Sequence, residues 1–127
     1  MEFVKNYQEL EVYKFSRTLS KELFEITKKF PKEEMYSLTD QIRRSSRSVG
    51  ARIAEAWAKR RYEKHFISKL TDSDGERMET QHWIEVAFDS NYISKETKTD
   101  LLAKCESTCN MLNSMIKKSH LFCIKTK

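Results

Sequence analysis

The chain has 127 residues but only two glycines and one proline. Glycine and proline are the residues that most readily let a backbone reverse, and average usage is several times higher. Having so few places to turn disfavours the many tight connections of a many-stranded sandwich or barrel. The chain is better suited to a few long helices. Its length fits one domain of ordinary size, able to bury a core without disulfides or a structural metal. The cysteines, Cys105, Cys109 and Cys123, are odd in number and lack a C-x-x-C pair, so they do not form a disulfide framework. Cys105 and Cys109 stand four residues apart, a spacing at which both can face one core as small apolar groups.

Apolar periodicity divides the chain into four helical segments. The first is expected over residues 10–30, with Val12, Leu19, Leu23, Ile26 and Phe30 on its stripe, and Pro31 ends it. The second is expected over 38–59, with Ser37 as N-cap and Asp40 in the first turn, and with Leu38, Ile42, Ser45, Val49, Ile53, Ala56 and Trp57 inward. The third is expected over 62–89, carrying Phe66, Ile67, Leu70, Ile84, Ala87 and Phe88 until the stretch DSNY competes for backbone hydrogen bonds. The fourth starts after a Ser94 cap and runs over 95–118, with Leu101, Leu102, Cys105, Thr108, Cys109, Leu112, Met115 and Ile116. Residues 119–127 read as a frayed tail. Short connections place consecutive helices antiparallel, so the expected fold is an all-α, up-down-up-down four-helix bundle in one domain. Tyr13, Phe15 and Phe24 widen the apolar face of the first helix and suggest burial against a second subunit. There is no apolar signal core and no segment long enough to span a bilayer. A soluble, cytoplasmic protein without a membrane partner is expected.

The net charge of +5 is not evenly spread. Residues 43–69 hold nine Lys/Arg (Arg43, Arg44, Arg47, Arg52, Lys59, Arg60, Arg61, Lys64 and Lys69) against Glu55 and Glu63, which leaves the rest of the chain net negative. The expected electrostatic footprint for nucleic acid is Arg47, Arg52, Lys59, Arg60, Arg61, Lys64 and Lys69, with Tyr62 and His65 interleaved among them. The alternative reading is a solvated charged face.

The stretch LTDSDGERMETQHW, residues 70–83, looks like a metal site and fails as one. With Asp72 as the first ligand of a calcium loop, the obligatory glycine falls at position 77, where Arg77 stands. Glu79 and His82 have the Glu-x-x-His spacing of a di-iron bundle, but neither His65 nor His120 has a glutamate three residues before it. No metal or other cofactor is expected. In an antiparallel pair joined near Arg61, residues 43 and 44 come near 79 and 76, and residue 48 near 74. Arg43 and Arg44 are therefore expected to pair with Glu79, Glu76 and Asp74 in an interhelical or intersubunit network, with Gly75 allowing a close backbone approach. There is no Gly-rich phosphate loop, G-x-S-x-G or H-E-x-x-H motif, and no catalytic residue is expected.

Leu10-Glu11-Val12-Tyr13, Phe30-Pro31, Asp40-Gln41-x-Arg43-Arg44 and Ile53-Ala54-Glu55 occur in this order. Together they resemble the bacterial proteins encoded in intervening sequences of 23S ribosomal RNA genes, the S23 family, over residues 10–116. The resemblance implies an antiparallel four-helix bundle assembling as a ring-shaped homopentamer. Some relatives are accessory proteins of diversity-generating retroelements that bind a reverse transcriptase and nucleic acid. This sequence departs from the family in two places. Arg52-Ile53-Ala54-Glu55-Ala56 stands where the family has Asn-Ile-Ala-Glu-Gly, and Asp72–Thr80 replaces a stretch resembling Ala-x-Gly-Ser-x-x-Glu. The function expected is non-enzymatic binding of RNA or DNA, RNA favoured, by a homo-oligomer. A protein-interaction scaffold without nucleic-acid affinity and a metal-binding bundle are the rival readings.

Overall fold

The computed structural model describes residues 4–124. Four long helices make up nearly all of it: α1 (Glu11–Thr27), α2 (Leu38–Ala58), α3 (Glu63–Asp89) and α4 (Lys95–Lys117). A short α5 (Ser119–Phe122) follows, and single 3-10 turns at Tyr7–Glu9 and Lys32–Glu34 precede α1 and α2. The most extensive contact is α2 on α3; α1 packs on α2, α4 packs on α3, and α1 touches α4, which closes the bundle.

The expected apolar stripes form the interior. One cluster, with Val12, Val49, Ile53, Phe66, Leu70 and Leu112, fills the end near the α2–α3 turn. A second, with Leu19, Leu23, Ile42, Ile84, Leu101 and Cys105, fills the rest. Phe30, Leu38 and Ala87 seal the far end. Trp57 packs against the first cluster and Trp83 against the other two.

Between the two main clusters lies a layer of small polar side chains. Ser16, Ser45, Ser46, Ser73, Thr80 and Thr108 are all buried. Each serine or threonine finds an acceptor without needing water. Ser73 Oγ donates to the Val49 carbonyl at 2.8 Å, Thr80 Oγ1 and Ser45 Oγ are bonded at 2.9 Å, and Thr108 Oγ1 donates back to the Lys104 carbonyl at 3.0 Å.

Three details of the helix ends differ from expectation. α1 ends at Thr27, three residues early, because Lys28, Lys29 and Phe30 close a tighter turn through bonds to Glu25, Ile26 and Thr27. Ser37 occupies the N-cap of α2 but makes no cap bond. Its hydroxyl donates to Glu34 Oε1, and that carboxylate oxygen accepts from the Leu38 amide instead. Ser94 caps α4 as expected, accepting from the Thr97 amide at 3.1 Å. The segment expected to fray is docked as far as residue 124. Ser119 is buried and donates to Glu63, Phe122 stacks on Phe66, and the Ile124 amide donates to the Arg60 carbonyl. Residues 125–127 lie outside the described residues.

The close-approach glycine is Gly50, not Gly75. A Cβ at Gly50 would sit 3.1 Å from Ser16 Oγ and 3.6 Å from the Tyr13 ring, so α1 passes tightly over α2 there. A Cβ at Gly75 would meet nothing within 4 Å. Gly75 is exposed in mid-helix, where glycine costs about 0.5–1 kcal/mol relative to alanine. Urea unfolding should therefore find Gly75→Ala stabilised by about 0.5–1 kcal/mol, and Gly50→Leu destabilised by about 1–3 kcal/mol through overpacking.

Candidate nucleic-acid interface

The basic residues of 43–69 do not form one surface. Arg43 is half-buried against α1: its Nε donates to Thr27 Oγ1 at 2.8 Å, and its guanidinium lies 4.4 Å from the centre of the Phe24 ring. Arg44 is exposed and reaches only Asp40, one turn back, at 3.8 Å. Neither meets Asp74, Glu76 or Glu79, which corrects the expected network. The Ser45–Thr80 and Val49–Ser73 pairs put α2 and α3 close to the assumed register. However, Arg43 points toward α1 and Arg44 toward solvent, so being level with an acid on α3 brings no contact.

The acids of α3 take other partners. Asp74 binds Arg77, which donates Nε and Nη2 to Asp74 Oδ1 at 3.0 and 2.8 Å and Nη1 to Gln81. Arg77 is only 5% exposed, a buried cation that the sequence reading assigned no partner. Its one legible signal was an aspartate three residues before it. Glu76 faces Arg52 at 3.7 Å. Arg52 also binds Glu55 at 2.7 Å, and Lys69 bridges Glu55 and Asp72. Hydrogen bonds from Arg52 and then Lys69 hold the Glu55 carboxyl below its usual range, even against desolvation. Arg52 and Lys69 are thus neutralised on the protein and leave the list of free cations. Glu79 is exposed and accepts from Trp83 Nε1, and His82 is exposed beside the Trp83 ring.

Two groups of cations have no ion-pair partner among the described residues. The first is at the α2–α3 turn: Lys59, Arg61 and Lys64 are exposed there. They flank Tyr62 along the chain, and Tyr62 is 58% exposed and lies 5.3 Å from the His65 ring. Arg60 belongs to the framework of this turn. Its guanidinium stacks 3.6 Å over Trp57 and its Nε donates to the Trp57 carbonyl. The second group contains Arg47, away from that turn, in a cleft lined by Arg17, Thr18, Ser20, Lys21 and Phe24. Arg17 and Lys21 were missed as binding candidates, although their four-residue spacing on α1, followed by Phe24, was legible as a basic stripe.

The aromatic residues that seemed to offer α1 a second apolar face are partly used within the chain. Tyr13 packs over Gly50 and against Tyr7, and Phe24 is approached by Arg43, Arg47 and Lys28. The thiols are poor nucleophiles: burial pushes Cys105 up to about 11 and also raises Cys109 and Cys123. Among the described residues no cluster of three or more His, Cys, Asp or Glu side chains is placed to hold a metal. Among the described residues no helix is long and apolar enough to cross a membrane.

Four long helices around one interior, with cationic groups at one turn and along one flank, define a helical bundle. Residues 8–114 match the family model described as 23S rRNA-intervening sequence protein. The chain belongs to that family. A crystal structure of a protein of unknown function from the S23 ribosomal protein family of Bacteroides thetaiotaomicron has the same fold. It is 25% identical with a TM-score of 0.74, over 84% of this chain and 95% of that one. No curated protein matches the sequence.

Replacing Arg77 with methionine strands the part-buried Asp74 and should cost about 3 kcal/mol in urea unfolding, whereas Arg44→Met should stay within about 0.5 kcal/mol because its pair is exposed. Glu55 has a depressed pKa when folded, so its stabilisation is present above its ordinary value of 4.5 and is lost as pH falls through the folded value. Thermal melts between neutral pH and about pH 3 should show a shallower acid loss for Glu55→Gln than for the wild type.

Proposed function

We propose that this chain is a non-enzymatic, antiparallel up-down-up-down bundle that assembles as a homo-oligomer and binds nucleic acid, RNA in preference, through its basic turn. The observation that carries the reading is the set Lys59, Arg61 and Lys64. These three exposed cations have no carboxylate partner among the described residues and flank the exposed Tyr62–His65 pair along the chain. Lysine and arginine at such positions attract phosphates without reading sequence, and an exposed aromatic pair offers a face to an unpaired base. Family membership supports a pentameric ring, in which one weak patch per subunit is repeated around an axis and gains affinity by avidity. A cytoplasmic location goes with this role.

A second reading is favoured by a different observation at the same end. Leu121 and Ile124 are 39% and 55% exposed beside Trp57, Arg60 and Phe122. An apolar edge next to a basic turn suits a partner protein, such as a reverse transcriptase, and the bundle would then serve as a scaffold.

Binding of labelled RNA and DNA across a salt series, with native mass spectrometry for subunit number, tests both. The triple variant Lys59→Gln, Arg61→Gln, Lys64→Gln keeps Arg60, which holds the turn. It should lose at least tenfold in RNA affinity and flatten the slope of log K against log salt by about 2. Wild-type affinity in that variant would refute the assigned patch. A wild-type protein without RNA affinity at low salt, but with a stable protein partner, would support the scaffold.

A further inference from the structure

We infer that the cleft between α1 and α2 is a second phosphate-binding site, and that a single nucleic-acid strand runs from it along the outer ridge of α2 to the α2–α3 turn. This rests on the nucleic-acid reading above and extends it.

The cleft is built from two helices. Arg17 and Lys21 come from α1 and Arg47 from α2, around the half-buried Phe24, enclosing about 360 Å³. Nearby carboxylates are already occupied: Glu11 by Lys14, Glu25 by Lys28, Asp40 by Arg44 and Glu22 by Lys104. Arg17, Lys21 and Arg47 therefore keep their charge for a ligand. The guanidiniums are also pre-positioned. Arg17 Nη1 donates to Tyr13 Oη at 3.4 Å, and Arg47 lies 5.3 Å from the Phe24 ring centre. A cation held against an aromatic ring keeps its N–H edge available to a phosphate oxygen while losing less freedom on binding.

The ridge joins the two sites. The exposed positions of α2 are Arg44, Arg47, Ala51 and Ala58, followed past the helix end by Lys59 and Arg61. The acid on this face is Glu55, between Ala51 and Ala58, and it is already paired with Arg52 and Lys69; the exposed uncharged positions are alanines. Arg52 and Glu55, which form the nearest ion pair, are turned toward α3, where they meet Glu76 and Lys69. At 1.5 Å per residue, Arg47 and Lys59 are about 18 Å apart along the helix, a span that a strand of several nucleotides crosses and that a very short one does not. A ridge whose one acid is already paired, running between two cationic sites, suits a polyanion lying along it, and that is the occupant proposed.

The test uses fluorescein-labelled oligouridylates of about 4 and about 16 nucleotides, with circular dichroism to check that each variant is folded. The cleft variant Arg17→Gln, Lys21→Gln, Arg47→Gln should weaken the long RNA at least tenfold and flatten its salt slope by about 2. Ala51→Glu places an acid in mid-ridge. It should weaken the long RNA severalfold and leave the short one within twofold, whereas Ala51→Gln should bind both normally. If the turn variant loses RNA while the cleft variant and Ala51→Glu bind like the wild type, the continuous track is overturned and the nucleic-acid reading stands. If the wild type binds neither RNA at low salt, both fall.

Discussion

The layer of small polar residues at mid-bundle sets the position of everything else. Ser73 on the Val49 carbonyl and Thr80 on Ser45 tie α3 to α2 at two heights, and Gly50 lets α1 cross α2 at the same level. An apolar seam alone tolerates sliding by a turn, because leucine and isoleucine fit many holes. A buried hydroxyl moved by one turn loses its acceptor and costs about 1–3 kcal/mol. Three such constraints in a row therefore determine which side of α2 faces α1, which faces α3, and which is left to solvent.

The charged surface follows from that orientation. Arg52 and Glu55 lie on the side of α2 turned toward α3, and there they join Lys69, Asp72 and Glu76. Arg43 falls on the side turned toward α1 and is absorbed by Thr27 and Phe24. Arg47, on the outward side of α2, keeps its charge unpaired among the described residues. The basic segment of the sequence is thus sorted into structural and available cations by helix rotation, at intervals of three and four residues.

This sorting explains what could be read in advance. Val12, Leu23, Ile42, Ile53, Phe66, Leu70, Ile84 and Leu112 were legible as core, since 3.6-residue periodicity is a property of the local sequence. The register between α2 and α3 was also nearly legible, because a short turn leaves little freedom. The side-chain partners were not. A level argument gives height along a helix but not direction around it, so Arg43 was assigned to Glu79 when it faces α1. Arg77 was overlooked because a buried arginine runs against composition rules, and only the Asp74 and Gln81 spacing makes it tolerable. The Ser37 cap failed for a third reason: Glu34, three residues upstream, is a stronger acceptor and sits in the same turn.

The docked C-terminal segment bears on the order in which the molecule is completed. Ile124 donates to the Arg60 carbonyl, and Ser119 and Phe122 close over the start of α3 at Glu63 and Phe66. These contacts join residues about half the chain length apart and so form late. During synthesis the first helices can pair as they leave the ribosome, but the backbone of the α2–α3 turn gains its last hydrogen bond only when residue 124 has emerged. The basic end of the bundle is therefore the last part of the molecule to take its final shape.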